Sequence, residues 1–169
     1  QQLAFEPGDL GPLFGAEAGR GSIGGTLACN LAGSRRIKAG AARDHFLGAA
    51  AVSGRGEAFK SGGRVMKNVT GYDLVKLMCG SYGTLGVLSE ISFKVLPKPE
   101  AEATLVCEGL SAVAGVAALS TALGSPFGTT GAAHQETRSL VRIEGLEGSV
   151  AYRTEQLLGW LGSGWEIVT

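Results

Sequence analysis

The chain has 169 residues, 44% of them apolar and 18% charged, which is enough to bury a core and excludes a disordered tract. Fifteen Lys and Arg balance fifteen Asp and Glu, removing the electrostatic case for nucleic-acid binding, and no run of eighteen apolar residues marks a transmembrane helix. The three cysteines, Cys29, Cys79 and Cys107, have the spacing of neither a zinc site nor a disulfide framework, so a reducing, cytoplasmic setting is expected.

The sequence opens on QQLAFEPGDL with no initiator Met and reads as the interior of a longer protein. Glycine is the unusual residue, 28 of 169 against a typical share of about 7%. The first dense cluster is 21–34, GSIGGTLACNLAGS, in which Gly24 and Gly25 are predicted to turn into a short helix over 26–31. A helix start reached through glycine offers open N–H groups to a phosphate or pyrophosphate; tight helix–sheet packing asks for the same residues. It is not the GxGxxG fingerprint, because no strand of the right length precedes it and no acidic residue follows at the expected distance. Arg35, Arg36, Lys38 and Arg43 form a modest basic run, read as a solvated loop with a partner-subunit contact as runner-up.

Residues 46–52 and 57–60 flank SGRG and predict a β-hairpin. In 72–79, Leu74, Val75, Leu77 and Met78 predict two helical turns ended by Gly80. From 87 to 95 the alternation predicts a half-buried strand with Val87, Ile91, Phe93 and Val95 on its apolar face, a row that Ser89 interrupts. Leu96-Pro97-Lys98-Pro99-Glu100 then marks a boundary, since two spaced prolines force extended backbone and stop pairing. Beyond it the pattern predicts a strand at 103–107 and a helix capped by Ser111, with Ala112, Val116, Leu119 and Leu123 on one face. Strands at 129–135 and 140–144, a helix with Val150, Thr154, Leu157, Leu158 and Leu161 on one face, and a strand at 165–168 complete the order. That order, β-α-β-β-α-β, is the ferredoxin-like arrangement, with two helices on one side of an antiparallel sheet. The fold class is α+β, divided into residues 1–100 and 101–169.

Two further segments bear on chemistry. KNVTGYDL (67–74) runs into GSYGTLGV (80–87), so glycine- and hydroxyl-rich loops flank one short helix, with a strand directly after. Gly83 and Gly86 would let backbone approach a flat ligand, and Thr84 adds a hydroxyl; ordinary loop chemistry around an amphipathic helix is the other reading. The only histidines, His45 and His134, have no carboxylate cluster beside them, and each reads as a surface or loop residue rather than a base. Asp44 and His45, as strand neighbours, would face opposite ways. No catalytic group and no metal ligand can be named.

Taken in order, GSIGGTLACNLAG, MKNVTGYDLVKLMCG and GTLGVLSEISFKVLPKP resemble the FAD-binding domain of the vanillyl-alcohol oxidase (PCMH-type) flavoproteins. Within that group the chain resembles the FAD-binding subunits of bacterial glycolate oxidase, a likeness supported by 32–36 (AGSRR), 40–44 (GAARD) and 62–67 (GGRVMK). The resemblance implies the second subdomain of a PCMH-type FAD-binding domain followed by a ferredoxin-like cap domain. It implies that Ser22, Ile23, Gly24 and Gly25 lie along FAD, that Asn30 and Gly33 continue the contact region, and that Gly83, Thr84, Gly86 and Val87 meet the cofactor. Lys67, Asn68 and Tyr72 match a box near the flavin. Tyr82 stands where catalytic relatives carry an acidic residue.

The family's first FAD subdomain, with its pyrophosphate loop, is missing from this sequence, so an incomplete site with weak or no FAD retention is expected. The implied activity is oxidation of glycolate to glyoxylate, with electrons passing through FAD to the catalytic flavoprotein and iron–sulfur subunits of a heteromeric complex. The implied location is the cytoplasm, peripheral to the inner membrane through that complex and without insertion. A non-catalytic assembly subunit is the alternative. A UDP-N-acetylenolpyruvoylglucosamine reductase-like protein shares the GxxGG pattern but lacks the KNVTGYDL box and the ferredoxin-like tail.

Overall fold

A computed structural model describes residues 1–66 and 71–168. The chain divides into two units, Gln1–Arg36 with Gly40–Leu96, and Ile37–Ala39 with Pro97–Thr169.

The first unit is built on a three-stranded antiparallel sheet in the order β2-β1-β3, from β1 (Phe46–Ser53), β2 (Ala58–Gly62) and β3 (Gly86–Phe93). β1 and β2 form the expected hairpin, with Val52 opposite Ala58. The chain start joins this unit through a bridge between Gln2 and Leu96, which places Phe5 in the core with Phe46, Leu27, Val75 and Met78. Short helices accompany the sheet, α1 (Ile23–Ala28), α3 (Ala42–His45) and α4 (Leu74–Met78), whereas α2 (Arg36–Ala39) has all but its first residue in the second unit. Helices this short are not stable alone and depend on bonds to other segments.

Three expectations change here. α1 begins at Ile23, not Thr26, because the Ser22 hydroxyl accepts the Gly25 N–H (3.0 Å) and caps the helix ahead of both glycines. α4 is a single turn capped by Asp73, with Val75 and Met78 buried and Leu74 and Leu77 exposed. In β3 the pairing slips at a bulge: Glu90 lies opposite Ala50 and Leu88 opposite Ala51, leaving Ser89 as the extra residue. The Ser89 hydroxyl donates to the Ala50 carbonyl (3.2 Å). The slip reverses the alternation, so Leu88 joins Ile91 and Phe93 at the core while Val87 turns outward, 70% exposed. Val95 also is exposed.

The second unit has strands β4 (Ala101–Cys107), β5 (Gly131–Gln135), β6 (Arg138–Gly145) and β7 (Trp165–Val168), with helices α5 (Ala112–Gly124) and α6 (Glu147–Leu161). The sheet order is β5-β6-β4-β7, antiparallel throughout. Leu105, Val141 and Ile143 from one sheet face form a single core with Ala122 of α5 and Val150 and Leu157 of α6, so both helices lie on one side. This is the ferredoxin-like arrangement. The α6 stripe falls where its periodicity placed it, whereas α5 buries Gly115 and Ala122 and leaves Val116 58% exposed. A helix with no charged residue has no polar face to give the stripe away. Arg153 closes the unit, donating to the carbonyls of Phe127 (3.0 Å), Glu144 (2.8 Å) and Ser149 (3.2 Å).

Candidate functional site

Two segments far apart in sequence form opposite walls of one cleft in the first unit. Ser22, Gly24, Gly25 and Ala28 of the α1 region stand on one side; Met78, Ser81, Gly83, Gly86, Val87 and Leu88 stand on the other. The cleft encloses about 260 Å³, and among the described residues no charged side chain lines it. Sites that bury a drug-sized ligand hold roughly 300–1,000 Å³, so this cleft suits part of a larger molecule.

Local chemistry explains each wall. Ser22 accepts the Gly25 N–H and its carbonyl takes the Thr26 N–H (3.0 Å), while the Ile23 and Gly24 N–H groups have no partner among the described residues. Across the cleft, Tyr82 (φ 55°) and Gly83 (φ 75°) are the central residues of a turn closed by Thr84 N–H to the Ser81 carbonyl at 3.0 Å, the geometry of a type I′ turn. Tyr82 projects from this turn, 74% exposed. A side chain at Gly86 would put its Cβ 2.5 Å from the Val52 carbonyl oxygen, so the ladder itself demands glycine where the strand enters the cleft. The walls are joined to each other: Tyr82 donates its N–H to the Ala28 carbonyl (2.9 Å) at the end of α1, and Gly80 donates to the Leu27 carbonyl (3.2 Å), which also accepts the Asn30 N–H (2.9 Å).

Of the ten residues singled out from the sequence, Ser22, Gly24, Gly25, Gly83, Gly86 and Val87 line this cleft. Ile23 lines a neighbouring groove of about 640 Å³ that shares Ser22 and Gly25 with the cleft and runs along the 7–21 segment. Asp9 orders that segment by accepting the N–H groups of Gly19 (2.6 Å) and Gly11 (2.9 Å), bonds that hold its carboxyl below the usual range. Thr84 spends its hydroxyl on the Ser81 carbonyl (2.6 Å). Gly33 packs against the chain start, donating to the Phe5 carbonyl (2.8 Å), and a Cβ there would run into the Glu6 backbone. The Asn30 side chain bonds behind the walls. Ala28, Met78, Ser81 and Leu88 line the cleft beyond the ten residues singled out from the sequence, Leu88 standing next to a bulge that no sequence pattern marks.

Lys67 and Asn68 lie outside the described residues, and Tyr72 lines a separate cavity of about 120 Å³. Neither histidine is a surface residue in the manner expected. His45 ends α3 rather than lying in a strand; it is 4% exposed, with its ring 5.3 Å from that of Phe5 and Nδ1 3.3 Å from the Lys94 carbonyl. His134 points inward from β5, its Nδ1 2.8 Å from the buried Ser139 hydroxyl. Of the basic run, Arg35 is buried; Arg36, Lys38 and Arg43 are exposed. Cys79 is buried, which pushes its thiol up from the usual range. Among the described residues no group of three His, Cys, Asp or Glu could hold a metal, and no helix is long and apolar enough to cross a membrane.

No family model matches the chain. Individual proteins do. The chain is 43% identical over 159 residues to glycolate oxidase subunit GlcE of Escherichia coli K12, covering 94% of this chain and 43% of that protein. It is 42% identical over 85 residues to glycolate oxidase subunit GlcD of Bacillus subtilis 168, covering 50% of this chain and 18% of that one. A D-lactate dehydrogenase of Anaerostipes hadrus is 37% identical over 106 residues, covering 62% of this chain and 22% of the relative. The chain thus spans less than half the length of these relatives. Among solved structures, alkyldihydroxyacetonephosphate synthase superposes with a TM-score of 0.65 at 18% identity, covering 86% of this chain and 32% of that one, which establishes likeness of fold. Sustained over 94% of the chain, the identity to GlcE makes the glycolate oxidase subunits the proteins this chain is similar to in sequence.

Proposed function

We propose that this chain contributes one wall of an FAD site to a subunit of a glycolate oxidase complex. The observation that carries the reading is the meeting of Gly24 and Gly25 with Gly83, Gly86 and Val87 across one cleft. FAD, when bound, supplies two-electron redox chemistry, and the protein supplies binding and orientation. Here Ser22, Gly24 and Gly25 would face the cofactor along α1, where the Ile23 and Gly24 N–H groups are available to a polar edge or phosphate. Gly83, Gly86 and Val87 would meet a ring, the glycines admitting it to backbone contact and Val87 excluding water. Residues 1–100 serve as the second FAD subdomain and residues 101–169 as the ferredoxin-like cap. Glycolate, oxidised to glyoxylate, is the substrate of the complex, and the partners are its catalytic flavoprotein and iron–sulfur subunits, in the cytoplasm and peripheral to the inner membrane.

A specific observation favours a second reading, a non-catalytic assembly subunit. Among the described residues no histidine and no carboxylate lines the cleft, and Tyr82 presents a phenol beside Ser81 and Gly83.

Titrating FAD into the purified chain, with quenching of flavin fluorescence as the readout, tests the cofactor assignment. The expected result is weak binding lost on gel filtration, and its abolition in Gly24→Leu, whose Cβ meets only the Ser22 hydroxyl at 3.8 Å and whose side chain fills the cleft. Absence of any quenching, or unchanged binding in Gly24→Leu, overturns the assignment; a stoichiometric yellow chromophore overturns the single-wall description. In the assembled complex, flavin reduction by glycolate that depends on this subunit's own cofactor separates the redox reading from the assembly reading.

A further inference from the structure

The backbone bonds from Gly80 and Tyr82 to the end of α1 set the distance between the cleft walls, and Asn30 stands directly behind them. Asn30 takes a left-handed conformation (φ 51°), which asparagine tolerates better than other residues with a side chain, and so reverses the chain out of α1. Its Oδ1 accepts the Arg43 N–H (3.0 Å) in α3 and lies 3.5 Å from the Cys79 sulfur. The Cys79 thiol in turn faces the Leu27 carbonyl at 3.2 Å, the same carbonyl that Gly80 uses. One side-chain oxygen therefore links the turn after α1, the α3 helix and the residue preceding the Gly80–Tyr82 bonds.

We propose that Asn30 is a positioning residue: its amide oxygen, rather than touching the ligand, holds the α1 wall at a fixed spacing from the Ser81–Leu88 wall. This inference rests on the reading of the cleft as part of an FAD site. A ligand held between two walls senses their separation, so loosening the tie weakens binding although no contact atom has been removed. Arg43 and Cys79 approach the same oxygen from two different elements, and an acceptor is all that either requires.

Asn30→Gly keeps the left-handed turn and deletes the oxygen; Asn30→Asp keeps an acceptor in place. Amide hydrogen exchange at Gly80 and Tyr82 needs no ligand. It is expected to be about tenfold faster in Asn30→Gly, the loss of roughly one hydrogen bond, and near wild type in Asn30→Asp. Unchanged exchange in Asn30→Gly overturns the proposal. FAD titration is the second arm: affinity about tenfold weaker in Asn30→Gly, with an altered visible flavin band, and both restored in Asn30→Asp. Faster exchange with wild-type affinity and spectrum reduces Asn30 to a purely structural residue and also overturns the proposal. If the wild-type chain binds no FAD, the cofactor assignment falls, and exchange alone decides whether Asn30 couples the walls. Should Asn30→Gly fail to fold, Cys79→Ala removes one of the two contacts and is expected to accelerate exchange at Gly80 by a smaller factor; no acceleration counts against the coupling.

Discussion

Where the first unit brings backbone against backbone, at Gly33 with Glu6 and at Gly86 with Val52, the second fills its interior with Leu105, Val141, Ile143 and Leu157. The helices differ in the same sense. α1 has six residues and leans on a neighbouring loop to satisfy its carbonyl end, whereas α5 and α6 run to 13 and 15 residues and bury stripes of their own. The difference teaches how a binding cleft is made from little side chain. Glycines lower the local helix and strand preference, and hydrogen bonds between segments then fix the shape that packing would otherwise fix.

If that contrast is sound, adding one methyl to the first unit should cost more than removing a large part of a core side chain from the second. Gly33→Ala drives a Cβ into the Glu6 backbone, which cannot swing aside as a side chain can. A loss of about 4 kcal/mol is expected, read as lost amide protection across β1 and β3. Leu105→Ala opens a cavity beneath a fully buried position of β4 and should cost about 3 kcal/mol. Both tryptophans, Trp160 and Trp165, belong to the second unit, so denaturation followed by their fluorescence reports that change. A Gly33→Ala chain that kept its β1 and β3 protection would break the comparison. The smallest expected effect sharpens it by asking whether a loop, too, is held through backbone. Asp9 binds the Gly19 and Gly11 N–H groups, and these bonds lower its pKa. The tether is therefore fully present above the unfolded carboxylate value of about 3.9 and is lost as pH falls through the lower folded value. Proteolysis within residues 10–20 should quicken in that acid window and not in mildly alkaline buffer. Asp9→Asn should make the quickening independent of pH.

The two units were also legible in different ways. The second could be read in chain order: short strands at 103–107, 129–135, 140–144 and 165–168, with the Val150–Thr154–Leu157 stripe of α6, match its element order. Periodicity failed at α5, where every face is apolar or small and Gly115 and Ala122, not Val116, approach the sheet. The first unit was legible as motif more than as structure. The glycine clusters point to the cleft, yet α1 starts three residues ahead of the expected position because Ser22 caps it. The helical setting of His45 leaves no mark in the sequence, because the four residues of α3 are too few to show a repeat. Asn30, Gly33 and Thr84 sit within the same motifs as the cleft residues, and only three-dimensional contacts separate those that face a ligand from those that hold the walls.

The bulge at Ser89 has one more consequence. A regular ladder between β1 and β3 could slide by a residue and keep all its bonds, but the slide would carry Val87 inward and bring a charged Glu90 toward the core. Because the extra residue is seated opposite Ala50 and Ala51, with its hydroxyl bound to the Ala50 carbonyl, the strands interlock at a single register. The bonds behind α1 fix the cleft across its width; Ser89 acts as a detent along its length, so the valine at the cleft cannot be exchanged for its neighbour without unseating the strand.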